Sequence, residues 1–279
     1  NYEYMIISNV QYDESYNDDA YVREDGSHAD KLYYPMFGGS YDGTRIRSLA
    51  GQTLMYNTNA STEITRAKAN GNGWNIGSWS KRNLLDCMLK IMSKTDNSQT
   101  AFGQGQTSGY VNDASQNYGH LATGTLTNKG QFFGYTSTTQ AVKVFYCENF
   151  FANYWKRLRG LLLINGVYHV KAVPPYNSTG AGYTNTGLTP SGTSGGYCSR
   201  MEMASDIGRI PTVASGSETT YECDGLWFNN TIVAVALFGG ARGNGSRCGL
   251  SCWTVGNPAT LVDTDIVASL SCKPPVAAA

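Results

Sequence analysis

The spacing of apolar positions changes several times along the chain, and each change predicts an element. Over 79–94, Leu84, Leu85, Met88, Leu89 and Met92 recur every three or four residues behind a candidate cap at Ser80. That pattern predicts an amphipathic helix with its apolar face toward a core. Over 148–159, Phe151, Tyr154, Trp155 and Leu158 share one helical face, and Gly160 stands where a helix C-terminal glycine belongs, which predicts a second helix. The apolar runs 161–164 and 167–173 flank Asn165-Gly166, a pair that supplies the positive φ angles of a tight hairpin turn. Pro174-Pro175 ends the second of these strands.

Further β-like runs lie at 132–135, 142–146, 220–228, 231–238, 250–255 and 266–272, and two polar connections, 239–249 and 256–265, separate the last three. Residues 95–130 are rich in Gly, Ser, Thr, Asn and Gln and read as irregular. Residues 176–197 form a loop long enough to require either a function or pinning by neighbours. The first forty residues are acidic and tyrosine-rich, with Asp18-Asp19, and read as short strands and turns. No fixed period repeats. The expected fold class is α+β: two helices, short antiparallel strands and long loops. Residues 1–45 are expected to be an N-terminal extension or the first strands, and 46–279 the main domain.

Composition narrows the function classes. Lys plus Arg equals Asp plus Glu at 21 each in 279 residues, so no net field draws the chain to nucleic acid or an anionic membrane. No run approaches the ~20 apolar residues of a membrane span, so membrane insertion is not expected. Only 15% of residues are charged, against 32 Gly and 19 Tyr, the vocabulary of loop-rich recognition surfaces and equally of a plain turn-rich domain. The start at Asn1 leaves room for a removed leader or an upstream domain. Seven cysteines without a CxxC argue against a full disulfide framework, with one or two bridges left open. Asn-x-Ser/Thr sequons at Asn59, Asn177, Asn229 and Asn244 are expected by chance in so polar a chain.

In the C-terminal segment, Gly239-Gly240 closes one strand, Gly245 and Gly249 punctuate a polar cluster, and Ile266 leads the final strand. This frame resembles the variable region of proteins diversified by phage and bacterial diversity-generating retroelements. Upstream, Glu148-Asn149-Phe150-Phe151-Ala152-Asn153-Tyr154-Trp155 resembles the Gly-Asn-x-Trp-Glu-Trp helix of C-type-lectin folds related to formylglycine-generating enzymes, with Ala152 in place of Gly and Lys156 in place of the acidic residue. The resemblances cover roughly 131–272. They imply a C-type-lectin-like fold with a variable region at about 239–266 and a receptor-binding protein of a gut bacteriophage tail, located on the virion. The implied partner is a protein or glycan on the bacterial surface, and family analogy adds a homotrimer. A bacterial surface or secreted binding protein of the same family is the alternative.

Adenine-directed mutagenesis of Asn codons excludes Lys, Glu, Gln, Met and Trp at diversified sites. Residues 239–266 contain none of the first four, while Trp253 is an exception. The variable contact surface implied by the resemblance comprises Ala241, Arg242, Gly243, Asn244, Arg247, Trp253, Thr254, Gly256, Asn257, Leu261, Asp263 and Asp265. Arg242 and Arg247 are read as ion-pairing or stacking contacts and Trp253 as either an interface anchor or a core side chain. Val233, Val235, Leu237, Val255, Ile266 and Leu270 are expected to anchor the connections, and Tyr221, Trp227 and Phe228 to be core.

Catalytic and metal chemistry find little support. Cys248 and Cys252 are candidates for the thiol pair of a formylglycine-generating type enzyme, and both fall inside the segment read as variable. CxxxC lacks nearby histidines for zinc, the three being His28, His120 and His169; no Gly-x-Ser-x-Gly elbow accompanies any of these histidines, and no GxxxxGK[ST] or GxGxxG occurs. Asp263 and Asp265 read as solvated loop acids, and Gly256-Asn257-Pro258-Ala259 is not the sugar-site motif of calcium lectins, although a structural calcium elsewhere stays open. No catalytic residue, metal ligand or cofactor is therefore expected.

Overall fold

The computed structural model describes residues 18–204 and 208–275. For residues 1–17 the expectation of an N-terminal extension or first strands falls outside the described residues. The described chain has a mixed α+β architecture with few helices and one large curled sheet.

Small elements come first. Strands β1 (Ser40–Tyr41) and β2 (Ile46–Arg47) pair with each other, β3 (Trp74–Asn75) pairs with the last strand, β15 (Ser271–Cys272), and β4 (Lys143–Val144) pairs with β5 (Cys147–Glu148). Helix α1 (Ala60–Lys68) starts at Asn59, whose Oδ1 accepts from Thr62 N at 2.9 Å, an N-cap that the apolar spacing does not signal. Helix α3 (Ser98–Phe102) is likewise an addition, capped by Asn97.

Helix α2 (Trp79–Ser93) lies where the periodicity predicts it, but its cap is Ser78 rather than Ser80. The buried side also differs. Trp79, Arg82, Asp86 and Leu89 face inward, whereas Met88 and Met92 are exposed. The polar pair wins the inner face because it has partners there: Arg82 donates to Leu250 O at 2.6 Å, and Asp86 meets Arg209 at 2.7 Å.

No helix forms over 148–159. After β5 the chain turns through Asn149, Ala152 and Asn153, all at positive φ, and enters strand β6 (Lys156–Ile164). A one-sided helix fails here because Phe150, Phe151, Tyr154 and Trp155 are all buried, and they enter three different core clusters. Gly160 is a kink within that strand at φ 92°, where a Cβ would lie 2.7 Å from Lys171 O.

The hairpin at Asn165-Gly166 forms as read, joining β6 to β7 (Val167–Val170) with φ of 47° and 87° at the turn. The loop after Pro175 is pinned by β8 (Thr184–Asn185) and β9 (Ser191–Gly192). A long hairpin, β10 (Gly196–Ala204) and β11 (Gly208–Gly216), forms where the apolar pattern predicts no strand. Strands β12 (Gly225–Phe228), β13 (Val233–Phe238) and β14 (Trp253–Asn257) complete a nine-stranded sheet of order β8-β7-β6-β13-β14-β12-β10-β11-β9.

Strand alternation gives the sheet two apolar faces. Leu161, Leu163, Ala234, Ala236, Leu226 and Val255 pack on one side with Trp79 of α2. Leu162, Val235 and Leu237 face the other side with Trp155 and Ile266, where Leu261 and Ala259 of the second polar connection cover them. Among the expected anchors, Val233 alone is exposed, and Tyr221 is exposed rather than core. All seven cysteines are free.

Candidate functional site

The first connection, between β13 and β14, is fastened by side chains from distant parts of the chain, and they grip its backbone. Gln99 Nε2 donates to Gly245 O and Cys248 O at 3.2 and 2.9 Å, Ser98 Oγ accepts from Leu250 N at 2.8 Å, and Asp224 accepts from Ser251 N at 2.7 Å. Arg82 holds Leu250 O from below. Burial pushes the Asp224 carboxyl well above the usual carboxylate range, and the bond from Ser251 N opposes that shift.

The second connection is held in the same manner. Ala60 N donates to Ala259 O at 3.0 Å, Asn57 N to Asp263 O at 3.0 Å and Trp155 N to Asp265 O at 2.8 Å, while Arg157 donates to Leu261 O. His120 Nε2 lies 2.7 Å from Thr264 O, which only accepts, so the proton sits on Nε2. Its Nδ1 faces the Asn153 carboxamide at 3.2 Å, and exchanging the oxygen and nitrogen of that amide would also serve its otherwise unpartnered Nδ2. Burial, then the neighbouring Arg242 charge, push the imidazole down to about 4.

Between these fastenings, Gly243 is exposed, and Asn244, Arg247, Gly256, Asn257, Leu261, Asp263 and Asp265 are half-buried. Ala241, Arg242, Trp253 and Thr254 are buried, so these four expected contacts are corrected to structural positions. Trp253 lies on the α2 side of the sheet, its ring 5.0 Å from that of Trp79. Thr254 faces the other side, between Trp227 and Leu237 in register. Arg242 donates to Tyr118 O at 2.6 Å and meets Asp265 at 3.0 Å. Asp263 Oδ1 accepts from Asp265 N at 2.8 Å, so both acids serve the loop itself.

Three tyrosines from outside the segment border the tip. The Tyr110 ring lies 5.3 Å from the Arg242 guanidinium, the Tyr197 ring lies 5.2 Å from that of Arg247, and Tyr197 also shares a 2.6 Å hydrogen bond with Ser246. Tyr118 stands edge-on to Tyr56, which stacks on His120. Sequence reasoning missed these residues because they lie far from the segment in the chain; the high count of 19 Tyr in the whole sequence was the sole signal.

The sequence matches no protein family and no curated protein. Chemistry is therefore judged on geometry. Cys248 and Cys252 are fully buried, and burial raises both thiols well above their ordinary range, the opposite of an activated pair. Among the described residues no cluster of three or more His, Cys, Asp or Glu is arranged to hold a metal ion, and no helix is long and apolar enough to cross a membrane.

Proposed function

We propose that this chain is a ligand-binding protein of C-type-lectin-like type, whose connections 241–247 and 256–265 form a diversified surface for attachment to a bacterial host, as in a phage tail receptor-binding protein. One observation carries the reading: Gln99, Ser98, Asp224, His120 and their companions hold backbone N–H and C=O atoms of the two connections, not their side chains. Backbone atoms are the same whatever the residue. Side chains at the tip are thus free to change while the loop keeps its course, since surface substitutions typically shift stability by less than about 0.5 kcal/mol. Arg242 and Asp265, which bridge the two connections, and Asn244 and Asp263, whose side chains accept from loop N–H groups, are the exceptions and belong to the frame.

The bordering tyrosines add constant, rigid contact area beside the changeable tip. Partner recognition is then by a protein or glycan at the cell surface, with self-association supplying avidity. The decisive experiment compares cell attachment and melting temperature for a variant with Gly243, Ser246 and Arg247 all replaced. Attachment should be lost with the melting temperature nearly unchanged, and parallel loss of both would sink the reading.

A further inference from the structure

A groove of about 770 Å³ is lined by the stretch 33–36, the β1–β2 hairpin and the end of the described chain at Pro274-Pro275. It shares no residue with either connection of the attachment surface. Tyr33, Met36 and Leu49 line it as exposed side chains, and Trp74 is half-buried beside them. Exposed apolar side chains gathered in one groove mark an interaction site.

The polar lining narrows the occupant. Arg45 and Arg47 both line the groove, with side chains 43 and 40% exposed, and no Asp or Glu is among its described lining residues. The two guanidiniums share one carboxylate, that of Asp42, at 3.5 and 3.4 Å, so the surplus positive charge rests on accessible side chains of the groove itself. Aromatic residues, methionine and arginine are the types enriched at the core of protein interfaces. The lining therefore suits a peptide with acidic and aromatic side chains.

The chain carries such a peptide. Residues 1–17 contain Glu3, Asp13 and Glu14 and no Lys or Arg, and Tyr2, Tyr4, Met5, Ile6 and Ile7 form an apolar run within them. They join the described fold at the rim of the groove: Arg23 Nε donates to Pro274 O at 2.7 Å and Lys273 Nζ to Val22 O at 2.5 Å, which fixes residues 22 and 23 against the Pro274-Pro275 wall. A segment of this length reaches at most about 55–60 Å, so span does not limit docking. The tether also makes docking an intramolecular step, for which modest contacts suffice. The exposed face of α2 at Met88, Ile91 and Met92 is a poorer seat, because a helix surface is convex and Lys90 there is already paired with Asp96 and Glu222.

We propose that residues 1–17 dock in this groove of their own chain, the run 2–7 against Tyr33, Met36, Leu49 and Trp74 and the acidic side chains against Arg45 and Arg47. The segment acts as a strap that closes an apolar surface otherwise open to other molecules. No residue of the two connections takes part, so the strap stands or falls independently of the attachment surface.

The test is photocross-linking of the full chain with Tyr4 replaced by p-benzoylphenylalanine, the linked peptides being mapped by mass spectrometry. The link should form within one chain, to Tyr33, Met36, Leu49 or Trp74. Replacing Glu3, Asp13 and Glu14 together by Lys should lower its yield at least about fivefold, as expected when several exposed ion pairs turn repulsive. Adding Arg45→Glu and Arg47→Glu to that variant should restore the yield. Absence of a link, a link to Met88 or Met92 of α2, a link between two copies, or a yield that survives the Lys substitutions would each overturn the assignment. So would a compensated chain that keeps its melting temperature and regains no yield. The first two measurements change no described residue, so they decide the matter whether or not the compensated variant folds.

Discussion

Arg242 and Asp265 lie in different connections of the C-terminal segment, and their side chains meet at 3.0 Å with the arginine fully buried. The pair ties the first connection to the second, and the same guanidinium donates to Tyr118 O and to Asn153 O at 3.2 Å. Replacing Arg242 by Ala strands two carbonyls and a carboxylate together. Breaking a buried pair from one side typically costs about 3–5 kcal/mol. Because Asp265 keeps some solvent, the loss should fall toward the lower end of that range in urea unfolding, and a loss below ~1 kcal/mol would mean that the bridge behaves as an exposed one.

Trp253 separates packing from contact. Its ring packs against Trp79 and Phe238, and its Nε1 has no hydrogen-bond partner. Trp253→Phe removes the unpartnered donor and keeps an aromatic ring, so most of the stability should survive, whereas Trp253→Ala should cost about 3–5 kcal/mol. Attachment by the Phe variant should equal that of the parent. Lost attachment in a fully stable Trp253→Phe protein would return this residue to the contact surface.

Gly249 is fixed by a carboxylate rather than by its own backbone angle. A Cβ there would lie 2.1 Å from Asp224 Oδ1, and that carboxyl is buried while holding Ser251 N. Gly249→Ala should therefore destabilise by about 1–3 kcal/mol, the usual cost of overpacking. Adding Asp224→Ala should make the Gly249→Ala step cheaper, and strictly additive losses in chemical denaturation would show that the clash is not with Asp224.

The sequence was legible where the signal is local. Asn165-Gly166 needs only its own turn chemistry, and the hairpin is there. The β13 and β14 strands likewise follow from short apolar runs. Legibility stopped where burial depends on partners far along the chain. Arg82 is buried through Leu250 O and Asp86 through Arg209, so α2 turns a face inward that its apolar spacing did not indicate. The aromatics of 148–155 match helical spacing, yet they are shared among separate clusters, which only a bent chain permits. For the candidate surface, the segment was legible as a unit. Which of its side chains turn inward was not, because Arg242 is drawn in by the carbonyls of Tyr118 and Asn153.

His120 gives the second connection a pH dependence of known sign. In the folded chain the imidazole is held down to about 4 against an ordinary value of 6.5. As pH falls below 6.5 the unfolded chain takes up a proton first, while the folded chain resists until about 4, so stability is complete above 6.5 and drains away across that window. At 1.36 kcal/mol per unit the whole loss is on the order of 3 kcal/mol. Asp265 and Asp224, whose carboxyls are raised by burial, act with the opposite sign, so the global profile alone cannot isolate the histidine. His120→Gln can: a glutamine amide still donates to Thr264 O but does not titrate. The stability difference between parent and His120→Gln should shrink by about 2–3 kcal/mol between pH 7 and pH 4. A difference that stays constant over this range, or an imidazole resonance titrating near 6.5, would show that His120 is not held neutral by its site.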